Sequence, residues 1–319
     1  MTLTHSLRRV GTHYPLVALY TDAVPAEALA ALDARKIARR RVPHLLPAGS
    51  KYYTDDARFN DTWTKLIAFS LTEYDRVVLL DSDMLVKRNI DELMMLDLDV
   101  PSVDGNGQRV FAASHACACN PMQKPHYPVD WYDIRLMDVY MWLIDHRIPE
   151  NCAFTVQHAT PNKAQKEGAP TSAGVGMLNS GLLVINPSQG IFNKIQKTMN
   201  QPDLVDRYGF PDQGLLSEIF AERWVTLPYI YNGLKTLRWD DVHGEIWRDD
   251  EVKVVHYIFA NKPWKDRDRK PATIETNGNG TNLVQQSRAQ SDALLHEWWW
   301  AANDDRQQSE RELGIYDGF

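Results

Sequence analysis

The triplet Asp81-Ser82-Asp83 ends an apolar run, Val77-Val-Leu-Leu80, that has no helical period. Such a run reads as a short buried strand of a parallel sheet. Residues i and i+2 of a strand project to one side, so Asp81 and Asp83 share a face. Two carboxylates set that way at the carboxyl edge of a sheet make half of a hard-cation site. Mn²⁺ or Mg²⁺ would fill it in company with phosphate oxygens. The triplet pattern is unspecific by itself: Asp97-Leu-Asp99 and Asp266-Arg-Asp268 repeat it in polar surroundings, where a turn or a charged surface accounts for it. Asp81 and Asp83 differ in directly following an apolar strand, where open α/β sheets bind ligands.

Other residues supply complementary chemistry. His256 follows Val254-Val255, and a neutral imidazole is a good third ligand for Mn²⁺. A lone strand histidine is more often a satisfied core residue. This one is followed closely by Lys262-Pro-Trp264, whose ammonium suits a pyrophosphate. Asn179, Ser180 and Gly181 sit at the mouth of another strand, where the missing side chain of Gly181 lets a ligand approach the backbone. Asp212 and Gln213 open a helix, and Asp212 taken alone reads as an ordinary N-cap.

The elements that must position these groups alternate. A helix tail at 6–9 closes at Gly11, and 14–20 reads as a strand. Pro25 opens a helix, 40–45 returns as a strand, and Asp61 caps a helix carrying Trp63, Leu66, Ile67 and Leu71. Further strands are expected at 109–113, 178–187, 224–231 and 252–258, and helices from Ser188, from Asp212 and over 293–313. Residues 115–177 are irregular and rich in Pro, Cys, His and Asn, and read as an insertion; 290–319 reads as a terminal helix and tail. The alternation points to an α/β, doubly wound, mostly parallel sheet flanked by helices, within one domain over 1–319.

Net charge is −7 and the basic residues form no long stripe, which argues against a nucleic-acid partner. No run of apolar residues is long enough to span a membrane, and the amino terminus has no apolar core of a signal peptide. Three cysteines, an odd and small number, suit a reducing compartment, so the expected location is cytoplasmic. Cys117, Cys119 and Cys152, with His115, His126 and His158, are the residue types of a structural zinc site. Their spacing matches no standard one, and free thiols are the expectation.

Lys65, Asp81-Ser82-Asp83, Asn179-Ser180-Gly181, Asp212-Gln213-Gly214 and His256 with Lys262-Pro263-Trp264 occur in the order seen in glycosyltransferase family 8. The chain resembles that family, which includes glycogenin and galactinol synthase, over residues 5–264, and most of all its fungal glycogenin-like branch. The resemblance implies a GT-A fold and a Mn²⁺-dependent, retaining transfer of glucose or galactose from a UDP-sugar to an unidentified acceptor. Asp81, Asp83 and His256 are then expected to hold the metal on the pyrophosphate, with Lys262 on the phosphates. Lys65, Ser82 and Gly181 fall beside the nucleotide and sugar, and Asn179, Asp212 and Gln213 around the transferred sugar. The expected partners are the UDP-hexose donor, a sugar, polyol or protein acceptor, and a second copy in a homodimer.

The chain departs from the family pattern in several places. It starts inside the helix that follows the family's first strand, so a central strand is expected to be missing and the chain to be a truncated product. In the related fungal enzymes Asp130-Trp131 runs almost directly into Ile148. Residues 132–147 therefore read either as a retained intron or as a helical insertion packing Leu136, Val139, Leu143 and Ile144. Phe259 stands where glycogenin has glycine, and Gly209 where it has an acid. The Trp298–Trp300 cluster reads as helix packing or an interface. Two rival functions keep the same strand and metal logic: a sugar-nucleotide pyrophosphorylase, and an inactive nucleotide-sugar binder.

Overall fold

The computed structural model describes residues 1–49, 51–54, 56–128, 131, 150–265, 267 and 280–319. The segment 132–147, with its intron-or-helix alternative, lies outside them, as do Asp266 and Asp268. Helix α1 (Thr2–Arg9) ends before Gly11, whose φ of 70° is the left-handed conformation that closes helices. Strand β1 (Val17–Tyr20), helix α2 (Ala26–Ala34) after Pro25, and strand β2 (Ala38–Arg41) follow. The second strand thus comes earlier than 40–45.

Thr62–Ser70 turns as a 3-10 helix, and Asp61 makes no capping bond to it. Trp63, Leu66 and Phe69 stack three apart along one buried face, as about three residues per turn requires. Next come β3 (Val77–Leu80), β4 (Met84–Val86) and β5 (Phe111–His115). The stretch expected to be irregular contains only short 3-10 turns and helix α3 (Pro161–Ala164) among its described residues before β6 (Leu178–Ile185). Helices α4 (Gln189–Met199), α5 (Pro202–Val205) and α6 (Pro211–Ile219) are separated by short turns. The strand expected over 224–231 is reduced to β7 (Val225–Thr226), because Pro228 withholds a donor and the chain turns at Tyr229–Tyr231. Strands β8 (Gly233–Leu234) and β9 (Val254–His256) precede α7 (Gly280–Glu312), which begins earlier than its apolar pattern does.

Among the described residues the strands form three sheets, ordered β1-β2, β3-β6-β5-β7 and β4-β9-β8. The pairs β1·β2, β5·β7 and β8·β9 are parallel; β3·β6, β5·β6 and β4·β9 are antiparallel. The strand before the acidic triplet therefore lies antiparallel to β6, and its residues are only half-buried. An apolar run without alternation signals burial, but cannot distinguish a parallel neighbour from an antiparallel one. Among the described residues β1 pairs only with β2, and β3 hydrogen-bonds to β6 on one side.

Strand β6 carries the core. Leu183 and Ile185 face Trp63, Leu66, Ile191 and Leu215, while Leu182 and Val184 face Leu7, Met84 and Leu93 across the sheet. A third apolar cluster joins Tyr229, Val255 and Tyr257 to Leu295 and Trp299 of α7. The far end of α7 is held by buried Arg35, which donates to Glu310 at 2.7 Å and to Asp317 at 2.7 Å. Among the described residues no helix is long and apolar enough to cross a membrane.

Candidate active site

The acidic triplet is the crossing between two sheets: β3 belongs to the four-stranded one and β4 to the three-stranded one. At the end of β3 the amide of Asp81 donates to the Gly181 carbonyl at 2.8 Å, and beyond Asp83 the chain enters β4. β4 pairs with β9 so that Met84 lies opposite His256. The imidazole is thus delivered to the carboxylates by strand register, across more than 170 residues of sequence separation. His256 Nε2 lies 3.2 Å from Asp83 Oδ1 and 3.9 Å from Asp81 Oδ2. One donor atom from each of the three falls within 4.8 Å of the others. Two carboxylates and an imidazole are the donor set of a hard or borderline divalent ion, and fit Mn²⁺ or Mg²⁺.

Two lysines neutralise the acids. Lys65 Nζ sits 2.7 Å from Asp81 Oδ1 and 3.7 Å from Asp212 Oδ2, and Lys262 Nζ contacts Asp83 Oδ2 and the Tyr257 carbonyl. Burial pushes the Asp81 pKa up and the nearby Asp83 adds to it, while Lys65 and His256 only partly reverse this. Burial acts on Asp83 in the same sense, but His256 and Lys262 outweigh it and hold that carboxyl far below its ordinary value. Lys65 is also disfavoured by burial, yet Asp81 and Asp212 more than compensate and raise its pKa. Lys262 goes the other way: burial lowers it, and Asp83 does not fully offset that. The site thus holds one firmly anionic carboxylate beside an ammonium that gives up its proton more readily than usual.

The residues around the triplet are tied to one another. Asn179 Oδ1 accepts from Gly181 N at 3.0 Å and from Asn232 Nδ2 at 2.8 Å. Ser180 Oγ donates to Asp212 Oδ2, and Ser180 N to Gln213 Oε1 at 3.3 Å. Asp212 is buried in the first turn of α6, but Phe210 occupies the N-cap position, so Asp212 is not the ordinary cap that its place in the sequence suggests. The register of β6 against β5 shifts at Ala113/Ser114, leaving 180–182 bulged out of that pairing. Bulges re-aim side chains beside functional sites, and within this one Ser180 turns its hydroxyl to Asp212. Ser82 is exposed and lines the same cavity.

Asn232 was not among the residues singled out from the sequence. It is fully buried, and its Oδ1 accepts the His256 Nδ1 proton at 2.8 Å. That bond holds the Nδ1 proton and leaves Nε2 as the ring nitrogen turned to the acids, the one available to ligate a metal. In sequence it is half of an Asn232-Gly233 pair, which reads as a turn. Asn232→Ala is expected to weaken Mn²⁺ binding by about 10–100-fold. Asn232→Gln, longer by one methylene, should not restore it, as calorimetric Mn²⁺ titration will check.

These groups border a cavity of about 500 Å³, a volume suited to a small ligand. Phe210 and Trp131 stack at 5.4 Å on one wall, and Arg58, His126, Phe259 and Trp264 complete the rim. Phe259 has φ 67°, a left-handed conformation that favours glycine, so the phenylalanine at this position carries backbone strain. Trp299 packs against Trp264 at 5.4 Å, and Trp300 Nε1 donates to the Pro263 carbonyl at 3.0 Å. The tryptophan cluster of α7 therefore braces the turn that carries Lys262, in agreement with a packing role.

Known proteins resemble this chain in sequence. A sequence model described as "Glycosyl transferase family 8" matches residues 17–268. Uncharacterized protein R707 of Acanthamoeba polyphaga mimivirus is 25% identical over 267 residues, which are 83% of this chain and 76% of that protein. Galactinol synthase 1 of Ajuga reptans is 26% identical over 264 residues, 82% of this chain and 68% of that protein. Glycosyltransferase GlyE of Streptococcus pneumoniae TIGR4 aligns in three dimensions with a TM-score of 0.49 at 17% identity, over 94% of this chain and 60% of that one. The family match covers most of the chain and takes in the acidic triplet, the bulged β6 and the histidine–lysine pair alike. This protein, a mixed α/β chain, belongs to glycosyltransferase family 8 and is a glycosyltransferase.

Proposed function

We propose that the chain transfers glucose or galactose from a UDP-sugar to the hydroxyl of a sugar, polyol or protein acceptor, with retention at the anomeric carbon and dependence on Mn²⁺. The observation that carries this reading is the meeting of Asp81, Asp83 and His256 at the rim of a cavity that also holds Lys65 and Lys262. Those three residues would hold the metal, which when bound supplies positive charge to the donor's pyrophosphate. Lys262 Nζ, beside Asp83, is in place to meet the charge that develops on departing UDP. Stabilisation of that kind acts mostly in the transition state and so raises turnover.

Asp212 offers the sugar hydroxyls a buried carboxylate already oriented by Ser180. With their oxygens occupied, Asn179 and Gln213 present amide N–H groups to the sugar, and Gln213 lies toward the anomeric carbon. UDP release from UDP-glucose and from UDP-galactose tests the reading. Release is expected with Mn²⁺, its loss after EDTA, and recovery on readdition of the metal. Formation of UTP from UDP-sugar and pyrophosphate would point instead to a pyrophosphorylase, and absence of both binding and release would sink the transferase reading.

A further inference from the structure

Away from the acidic triplet, three thiols and an imidazole converge in the interior. Cys117 and Cys119 come from the segment that leaves β5, Cys152 from the turn before Thr155–Gln157, and His243 from the loop between Arg238 and β9. One ligand atom from each lies within 4.8 Å of the others. His243 Nε2 is 3.1 Å from Cys119 Sγ and 3.3 Å from Cys152 Sγ. Cys117, Cys152 and His243 are buried, and none of the three cysteines forms a disulfide. A tetrahedral zinc site with metal–sulfur bonds of about 2.3 Å and a metal–nitrogen bond of about 2.0 Å has nitrogen–sulfur edges of about 3.5 Å, close to the two nitrogen–sulfur separations found here.

The imidazole is also prepared. His243 Nδ1 lies 2.9 Å from His158 Nε2, outside the cluster. With that proton shared toward His158, Nε2 keeps its lone pair aimed at the sulfurs, which is the arrangement of a metal-ligating histidine with an outer partner. The sequence pointed to His115, His126 and His158 as companions of these cysteines. Among them His158 reaches the cluster only through His243, and His115 Nε2 turns to the Ala169 carbonyl at 3.1 Å.

We propose that Cys117, Cys119, Cys152 and His243 form a structural zinc site, with His158 as the outer partner that positions His243. The four ligands fill a tetrahedron and leave no position for substrate, which marks such a site as structural. It ties together segments 91 and 124 residues apart, and closure of long loops is where a cross-link stabilises most. Ala116 and Cys117 line the cavity bordered by Asp81 and Asp83, so the metal would hold one wall of that cavity in shape. The inference rests on this cluster alone and not on the transfer reaction.

The test uses the full chain purified under reducing conditions. Elemental analysis is expected to give about one zinc per chain, retained in Asp83→Ala and lost in His243→Ala and Cys119→Ser. Replacement by Co²⁺ should give the thiolate-to-cobalt absorption and the visible bands of a tetrahedral site, and His158→Ala should bind the metal about 10–100-fold more weakly while keeping those bands. Should His243→Ala fail to fold, the cobalt spectrum of the unaltered protein decides by itself. Absence of thiolate-to-cobalt absorption in the reduced protein, or zinc that persists in a folded Cys119→Ser, overturns the proposal.

Discussion

Asp83→Ala is expected to lower Mn²⁺-dependent release of UDP from a UDP-hexose by about 10³-fold, the equivalent of about 4 kcal/mol of lost transition-state stabilisation. Asp83 is the carboxylate that meets both His256 and Lys262, and those contacts keep it anionic against the effect of burial. Removing it takes away a proposed metal ligand and the ion-pair partner of a buried ammonium together. Lys262 still donates to the Tyr257 carbonyl, so the fold should survive, and circular dichroism will check this. Asp97→Ala, in the other fully described triplet, is the control: its side chain is 90% exposed and its loss should leave turnover unchanged. Activity of Asp83→Ala within about tenfold of the unaltered enzyme would remove the metal from the chemistry.

Gly181→Ala is expected to weaken Mn²⁺ binding by about 10–100-fold and to depress turnover with it. The expectation runs against local rules, since alanine in a strand interior is ordinarily favoured over glycine by about 0.5–1 kcal/mol. A methyl group on Gly181 would lie 2.3 Å from His256 Cε1 and 2.8 Å from its Nδ1. Neither ring atom is the free end of a flexible chain: the imidazole is buried and bonded to Asn232. It must rotate away, abandoning the Asn232 bond or the acids. Besides any approach of a ligand to the backbone, the missing side chain of Gly181 leaves room for the His256 imidazole. Calorimetric titration with Mn²⁺ separates the two roles, because a glycine needed only for donor approach would leave metal affinity intact.

Features whose meaning is local were legible in the order of the residues alone. Asp81 and Asp83 lie in one segment after one strand, and the bounds of that strand follow from the limits of its apolar run. Helix α4 was legible from Ser188, whose hydroxyl caps it, and the closure of α1 from Gly11. The ordered motifs also carried the family and the pairing of His256 with the acids.

Which neighbour each strand pairs with, and so the antiparallel setting of β3 against β6, emerges from the folded arrangement. It alone brought in Asn232, His243 and the true neighbour of Gly181, none of which carries a periodic or spacing signal. The physical reason is common to all three. A side chain's period along an element records which face is buried, whereas hydrogen bonds, ligand sets and close approaches are made between elements distant in the chain. Those meetings are fixed by strand register and loop closure, which leave little trace in the order of the residues themselves.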